Sequence, residues 1–415
     1  MNQNGTPTAD TQPVSFSLLI KPAGADCNLR CAYCFYLDRA GLYPATPTHR
    51  MSAAVLERLV TGFMATRQAQ YVFGWQGGEP TLMGLEFFQA VTRLQQQHAP
   101  PGAVVANGLQ TNGTLLDDAF AAHLAQFRFL VGLSLDGPAE MHDRYRLNIA
   151  GAGSHAAVLK GMDTLRRHNV EYNVLTLVSA ANIDRPAEVY RYLCDLNCLF
   201  QQYIPCVEFD GQGRLLPFAV SAEAWGEFLC RLFDAWRADG AGRVSIRLFD
   251  SIMARLLHQP SGTCAMERDC RHYFLVEHNG DVYPCDFFVE PRWLLGNIMQ
   301  DSWQELRHKP LYAEFGRRKA QWSPACSACE WLDVCAGDCP KHRWMHQPTA
   351  APVRSRLCAG WRIFFKHAMP EMKRITAELA QRMQVTAPGP RQAVSGNTPC
   401  PCGSGLKFKH CCGRR

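Results

Sequence analysis

No unbroken apolar run in this sequence is long enough to cross a bilayer, and Met1–Gln12 has neither a basic start nor an apolar h-region. We therefore expect a cytoplasmic chain with no membrane insertion. Charge is also sparse: 19% charged against 47% hydrophobic residues is the balance of an ordinary globular protein, and 415 residues allow two or three domains. Disulfides are a third expected absence. Nineteen cysteines in a reducing compartment, many at CxxC-type spacings, suit metals better than bridges.

From Ser15 to about Phe209, short β-rich apolar runs alternate with longer helical ones, the pattern of parallel β/α units. The expected strands are Ser15 to Ile20, Tyr71 to Trp75, Val104 to Gln110, Phe129 to Leu135, Glu171 to Val178 and Gln201 to Val207. Between the first two, Ser52 begins a capping-type start, and Val55, Leu59 and Phe63 share one helical face. Six units predict an α/β fold, an incomplete (β/α)6 barrel over 15–240. Chemistry in such folds sits at the carboxyl ends of the strands. The unusual loops fall there: the cysteine loop after the first strand, Gln76-Gly-Gly-Glu-Pro80, Thr111-Asn-Gly113 and Ser134-Leu-Asp-Gly137. Residues 1–14 form a polar segment, 241–383 a cysteine-rich domain, 384–398 a Pro/Gly/Ser-containing linker and 399–415 a small terminal module.

The loop Cys27-Asn-Leu-Arg-Cys31-Ala-Tyr-Cys34 offers three thiolates where an iron–sulfur cluster normally takes four, leaving one iron open to an outside ligand. A zinc knuckle would want a fourth ligand as well. This spacing resembles the radical S-adenosylmethionine (SAM) superfamily, in which the amino and carboxylate groups of SAM chelate that iron. Tyr33 could pack on the adenine. Gly77 and Gly78 let the backbone approach a ligand, and a carbonyl there or the Glu79 carboxylate could accept from the SAM ammonium. Ser134 and Arg146 are candidate donors to the SAM carboxylate, with Arg144 competing for the second role. Val207 is a candidate apolar contact to the adenine.

Downstream, Cys264, Cys270, Cys285, Cys326, Cys329, Cys335, Cys339 and Cys358 fit two complete four-thiolate clusters. Together with Gln-Gly-Gly-Glu-Pro-Thr-Leu and Gly280-Asp-Val-Tyr-Pro-Cys-Asp-Phe-Phe288, the chain resembles the anaerobic sulfatase-maturating enzymes, radical SAM proteins with a SPASM domain, over about residues 15 to 370. The resemblance implies three [4Fe-4S] clusters and crossed ligation. Cys264, Cys270, Cys285 and Cys339 would surround one auxiliary cluster, and Cys326, Cys329, Cys335 and Cys358 the other. It also implies Asp286 as the general base, Tyr36 and Gln76 as substrate-positioning residues, and oxidation of a sulfatase cysteine or serine to Cα-formylglycine. The implied partners are an unfolded or nascent sulfatase polypeptide and a flavodoxin- or ferredoxin-type electron donor.

Cys194, Cys198, Cys206 and Cys230 match no cluster position and are expected as small thiols on apolar faces. In the tail, Cys400, Cys402, Cys411 and Cys412 have the spacing of a closed zinc site. The tail resembles the SEC-C motif, which implies a protein partner, and His410 competes with Cys412 as a ligand. Loading the thiolates with clusters and zinc would bring the formal charge of +6 to about −1, so no nucleic-acid partner is expected. Two other readings keep most of these features: a SPASM-type maturase of another peptide, for example by thioether formation, and a non-catalytic metal-binding regulator or adaptor.

Overall fold

The computed structural model describes residues 15–344 and 352–386. Ten strands form one sheet: β1 (Ser17–Lys21), β2 (Gln70–Trp75), β3 (Val104–Thr111), β4 (Leu130–Ser134), β5 (Tyr172–Val178), β6 (Phe200–Pro205), β7 (Ser245–Ile246), β8 (Tyr273–Glu277), β9 (Asp281–Tyr283) and β10 (Gly296–Asn297). Their order is β10-β9-β8-β1-β2-β3-β4-β5-β6-β7. Strands β1 to β7 run parallel, each separated from the next by a helical crossover, so the sheet is an open α/β barrel whose first and sixth strands do not meet. The six expected strands are all present.

Local chemistry accounts for the elements. Ser52 accepts a bond from the Val55 amide and caps the helix Ala53–Met64, which buries Val55, Leu56, Leu59, Val60, Phe63 and Met64 against the sheet. Strand β6 stops at Pro205, which has no N–H to donate to a ladder, so Val207 falls beyond the strand assigned to it from sequence. The core is strongly aromatic. Phe63 packs against Phe16, Tyr71, Phe73 and Trp303 at centroid distances of 5.1 to 6.1 Å.

The sheet does not stop at residue 240. Strand β8 pairs in parallel with β1, residue for residue from Ser17↔Tyr273 to Lys21↔Glu277, and β9 and β10 extend that edge antiparallel. Phe274 and Trp303 thereby enter the same core as Phe16 and Phe63. The cysteine-rich region thus shares sheet and core with the partial barrel, and one compact unit runs to Met369. A second unit begins at Pro370, inside the helix Cys358–Thr386. Helix therefore occupies the first residues of the expected 384–398 linker. The tail cysteines lie outside the described residues.

Phe63 is fully buried, and replacing it by alanine removes a ring that joins the helix to both halves of the sheet. Phe63→Ala should lower stability by about 3–5 kcal/mol, seen as a lower denaturant midpoint for the purified protein.

Candidate active site

The cysteine loop is built against its neighbours by backbone bonds. After β1 the chain turns at Gly24, whose φ is +53°. The Gly78 amide then donates to the Gly24 carbonyl at 2.8 Å and the Glu79 amide to the Asp26 carbonyl at 2.7 Å. A Cβ on Gly78 would lie 1.9 Å from the Asp26 carbonyl oxygen, and one on Gly77, where φ is +144°, would lie 2.8 Å from that of Gly24. Both glycines are therefore demanded by the cysteine loop itself, a cause that the sequence reading assigned to a ligand. On the other flank, the amides of Arg30 and Ala32 donate to the carbonyls of Leu147 and Tyr145. Asn28 bonds Thr114 and Asn112.

Cys27, Cys31 and Cys34 line a cavity of about 450 Å³ together with Tyr33, Gly77, Gly78, Ser134 and Arg146. Tyr36, Gln76, Asp286, Cys264, Cys335 and Cys339 line it too. Burial pushes two of these thiols up, Cys27 to about 12 and Cys31 to about 11. Soft thiolate donors converging on one cavity fit an iron–sulfur cluster.

Three expected contacts are placed differently. Glu79 is buried outside the cavity lining: its carboxylate accepts from the Thr81 amide and hydroxyl, the Thr111 hydroxyl and the Asn112 amide at 2.6 to 3.0 Å. That carboxylate organises two loops, which leaves the glycine backbone as the acceptor facing the cavity. Arg146 spends its fork on Asp136, with Nε to Oδ2 at 2.8 Å and Nη2 to Oδ1 at 3.2 Å. Its guanidinium lies 5.4 Å from the centre of the Tyr33 ring. Val207 lines a separate hollow, and Leu175, Leu177 and Ile204 provide the apolar wall where it was expected.

Asp136, which the sequence reading missed as a site residue, is the hub of this side. Burial works to raise its pKa, but the Arg146 charge and the bonds from Arg146 and Tyr33 hold it below the usual carboxylate range. Its Oδ1 also accepts from the Leu177 amide, and its own amide donates to His142 Nδ1. Burial keeps that histidine neutral, lowering its pKa to about 4. The usable signal was an acidic residue inside a strand-end loop already singled out. Gln110 was missed as well; it lines the cavity and donates to Ser134 Oγ at 3.2 Å.

The opposite wall carries Asp286. Gln76 Nε2 donates to its Oδ2 at 3.1 Å, Tyr273 Oη to its Oδ1 at 3.2 Å, and the Lys21 ammonium stands 3.9 Å from Oδ2. Lys21 was not anticipated, although a lysine closing an apolar strand just before the cysteine loop is a readable anomaly. Its side chain is only 2% exposed and lies over the Tyr36 ring, 4.1 Å from the centroid. Burial lowers its pKa, against which Asp286 and Glu277 supply compensating negative charge. Tyr36 donates its hydroxyl to Glu277. Lysine, tyrosine and two carboxylates thus form one buried network.

The downstream thiols fall into two neighbourhoods. Burial raises Cys339, with Cys264 and Cys270 adding to the rise, and Cys285 is raised by burial with Asp286 and Cys339 adding to it. Cys358 is raised by burial and then by Cys326 and Cys329, and Cys335 feels Cys358. Of the remaining cysteines, Cys198 and Cys206 are buried while Cys194 and Cys230 are partly exposed. Cys206 borders the cavity.

Comparison with known proteins agrees with the class this site defines. Residues 22–193 match the radical SAM superfamily, 264–330 the SPASM iron-sulfur cluster-binding domain and 397–414 the SEC-C motif. The serine-type anaerobic sulfatase-maturating enzyme of Bacteroides thetaiotaomicron is 37% identical over 379 residues, covering 87% of this chain and 91% of that one. The cysteine-type enzyme of Clostridium perfringens (strain ATCC 13124) is 35% identical over 360 residues, covering 86% and 97%. A solved structure, native anSMEcpe with bound AdoMet and Cp18Cys peptide, superposes with a TM-score of 0.81 at 34% identity, covering 88% of this chain and 99% of that one. The chain belongs to the family of anaerobic sulfatase-maturating enzymes. It is a radical SAM enzyme with a SPASM domain, and SAM and iron–sulfur clusters come with that membership.

Gly78→Ala places a methyl group on the Asp26 carbonyl and must part the two loops, an overpacking cost of about 1–3 kcal/mol. The variant should bind SAM about 10-fold or more weakly by equilibrium dialysis.

Proposed function

We propose that the chain oxidises an active-site cysteine or serine of a sulfatase to Cα-formylglycine. One observation carries this: a single cavity joins the Cys27, Cys31 and Cys34 thiols to Asp286 and its partners Gln76 and Lys21. Cys27, Cys31 and Cys34 would hold the SAM-binding cluster. Cys264, Cys270, Cys285 and Cys339 would hold one auxiliary cluster, and Cys326, Cys329, Cys335 and Cys358 the other, for three [4Fe-4S] clusters in all. When bound, these groups supply a 5′-deoxyadenosyl radical to remove the Cβ hydrogen and a sink for the second electron.

The protein's own part is to orient the residue and move its proton. Asp286 takes the proton of the substrate thiol or hydroxyl, Gln76 holds that carboxylate in place, and Tyr36 and Lys21 shape the wall beside it. For a cysteine, loss of Cβ–H, thiol proton and one electron leaves a thioaldehyde, which water converts to aldehyde and sulfide. Tyr33 and the glycine backbone would face SAM, with Ser134 donating to its carboxylate and Arg146 supporting Tyr33 through Asp136.

The partners would be an unfolded or nascent sulfatase polypeptide and a flavodoxin- or ferredoxin-type electron donor, with Cys400, Cys402, Cys411 and Cys412 holding one zinc for a protein partner of the tail. Among the described residues no helix is long and apolar enough to cross a membrane, and a cytoplasmic location suits the thiol chemistry. The relatives at 31–37% identity are named sulfatase-maturating enzymes, so other peptide maturation and a non-catalytic adaptor have no observation in their favour.

Asp286→Asn tests the base. Formylglycine in a Cys-x-Pro-x-Arg peptide should fall by about 10²-fold or more, while 5′-deoxyadenosine still forms and iron content holds. Near-normal aldehyde with full iron would refute the assignment. Replacing Cys27, Cys31 and Cys34 together by alanine should abolish 5′-deoxyadenosine formation yet leave the iron of eight cysteines, measured by Mössbauer spectroscopy. Truncation after Thr386 should remove one zinc per chain and leave peptide oxidation unchanged; loss of SAM cleavage in a folded truncation would instead couple the tail to the site.

A further inference from the structure

Beside the active-site cavity lies a second hollow of about 630 Å³ that the reaction does not use. Its apolar lining includes the buried Val207, Phe209 and the exposed Leu215, and three arginines, Arg354, Arg356 and Arg362, stand around it. All three are exposed. No ion pair of theirs is seen among the described residues; Arg356 lies over the Phe209 ring, 5.4 Å from its centroid. Glu223 is the one acidic residue of the lining. Unpaired cations gathered on one rim set up a positive potential that draws an anionic partner and fixes its orientation.

The wall of this hollow contains Cys358. The thiol is partly exposed, and Arg354 and Arg362 are near enough to oppose the rise in its pKa that burial imposes. A thiol in the group with Cys326, Cys329 and Cys335 therefore opens on a positively charged recess, whereas Cys285, in the other group, stands beside the negative charge of Asp286. A shallow apolar lining with a cationic rim over a redox ligand has the features of a brief electron-transfer encounter, which needs little area and relies on charge for its rate.

We propose that the hollow edged by Arg354, Arg356 and Arg362 is the docking site of a small acidic one-electron carrier protein. The proposal rests on the reading of Cys358 as a cluster ligand. One electron, taken from the substrate, leaves the cluster that Cys326, Cys329, Cys335 and Cys358 would hold, which is oxidised by one, and enters the oxidised carrier, which is reduced by one; a reduced carrier returns an electron through the same contact. No proton moves and no bond forms or breaks.

The test uses the fully loaded enzyme and its triple variant Arg354→Glu, Arg356→Glu, Arg362→Glu, with reduced flavodoxin of net negative charge and, separately, dithionite. Stopped-flow bleaching of the iron–sulfur absorbance reports cluster reduction independently of turnover. For the native enzyme, the second-order rate with flavodoxin should fall steeply with ionic strength. In the variant it should be about 10-fold or more lower and nearly insensitive to salt. Reduction by dithionite, iron content and dithionite-driven formylglycine yield should match the native enzyme. A flavodoxin rate and salt dependence unchanged by the three substitutions would overturn the proposal. So would an unchanged flavodoxin rate accompanied by a raised KM for peptide, which would make the recess a substrate site. Absence of formylglycine from both proteins under dithionite would instead count against the functional reading and leave the docking measurement to be judged on the bleaching rates. The single variant Arg356→Glu, whose charge stands over Phe209 and not beside Cys358, separates docking from tuning: a slower flavodoxin rate with an unaltered cluster potential supports docking, and an altered potential with an unaltered rate contradicts it.

Discussion

The pairing of β1 with β8 is the constraint on which the site depends. Its register sets Lys21 directly beside Glu277, two charged residues at the ends of strands that are otherwise apolar. Because side chains alternate across a strand, a slip of one residue in either strand would part this pair and turn that strand's buried apolar side chains out of the core. From that pair the chain runs one way into the cysteine loop and the other way through the β8–β9 hairpin to Cys285 and Asp286. The hairpin is closed by Asn279-Gly280, where Gly280 has a φ of +91° and its amide donates to Glu277. The cysteine loop after β1 and Asp286 after β9 are thereby set on strands separated only by β8, and the distance between them is a property of a hydrogen-bond ladder.

Burying Lys21 is costly, and the cost explains its neighbours. An isolated ammonium in an apolar interior would give up its proton. Asp286 and Glu277 supply the opposing charge, and the Tyr36 ring offers its face. Tyr36 is held in turn by its hydroxyl bond to Glu277. Removing one member would strand a buried charge, so the group behaves as a unit. The Asp136 side repeats this logic with Arg146, Tyr33 and His142. Each wall of the cavity thus has one buried ion pair holding one tyrosine, and both tyrosines come from the cysteine loop.

What could be read from the sequence was what chemistry makes local. Three cysteines at CxxxCxxC, two adjacent glycines and the CxxC-type pairs downstream each have few physical uses, and the six strands announce themselves by apolar runs between turn residues. Contacts made across the sheet were harder to see. Arg146 looked free to bind a carboxylate because nothing in its own segment shows that Asp136, ten residues earlier, takes its fork. Glu79 looked like a ligand because the threonines that satisfy it, Thr81 and Thr111, lie in two separate loops. Val207 was misplaced by two residues of strand, a small error that moves a side chain to another cavity. Strand β8 was hidden by its context, since Tyr273 to Glu277 lies inside a cysteine-rich stretch whose spacing drew attention to metal.

The fusion of sheet and cysteine-rich region also bears on why the downstream cysteines occur where they do. Cys285 follows β9 directly, while Cys264 and Cys270 precede β8, so three members of one neighbourhood are hung on the two strands that also carry Glu277 and deliver Asp286. Cys339 comes from a later segment, next to Lys341, whose ammonium is sandwiched between the rings of Phe35 and Phe287 and paired with Glu208. That lysine joins the cysteine loop, the loop after β9 and the loop after β6 at a single point. A group assembled from parts so far apart in sequence can be metallated only once the sheet has formed, and metallation in turn would lock the strands that position Asp286. The same register that pairs Lys21 with Glu277 therefore also sets the strands from which Cys264, Cys270 and Cys285 extend.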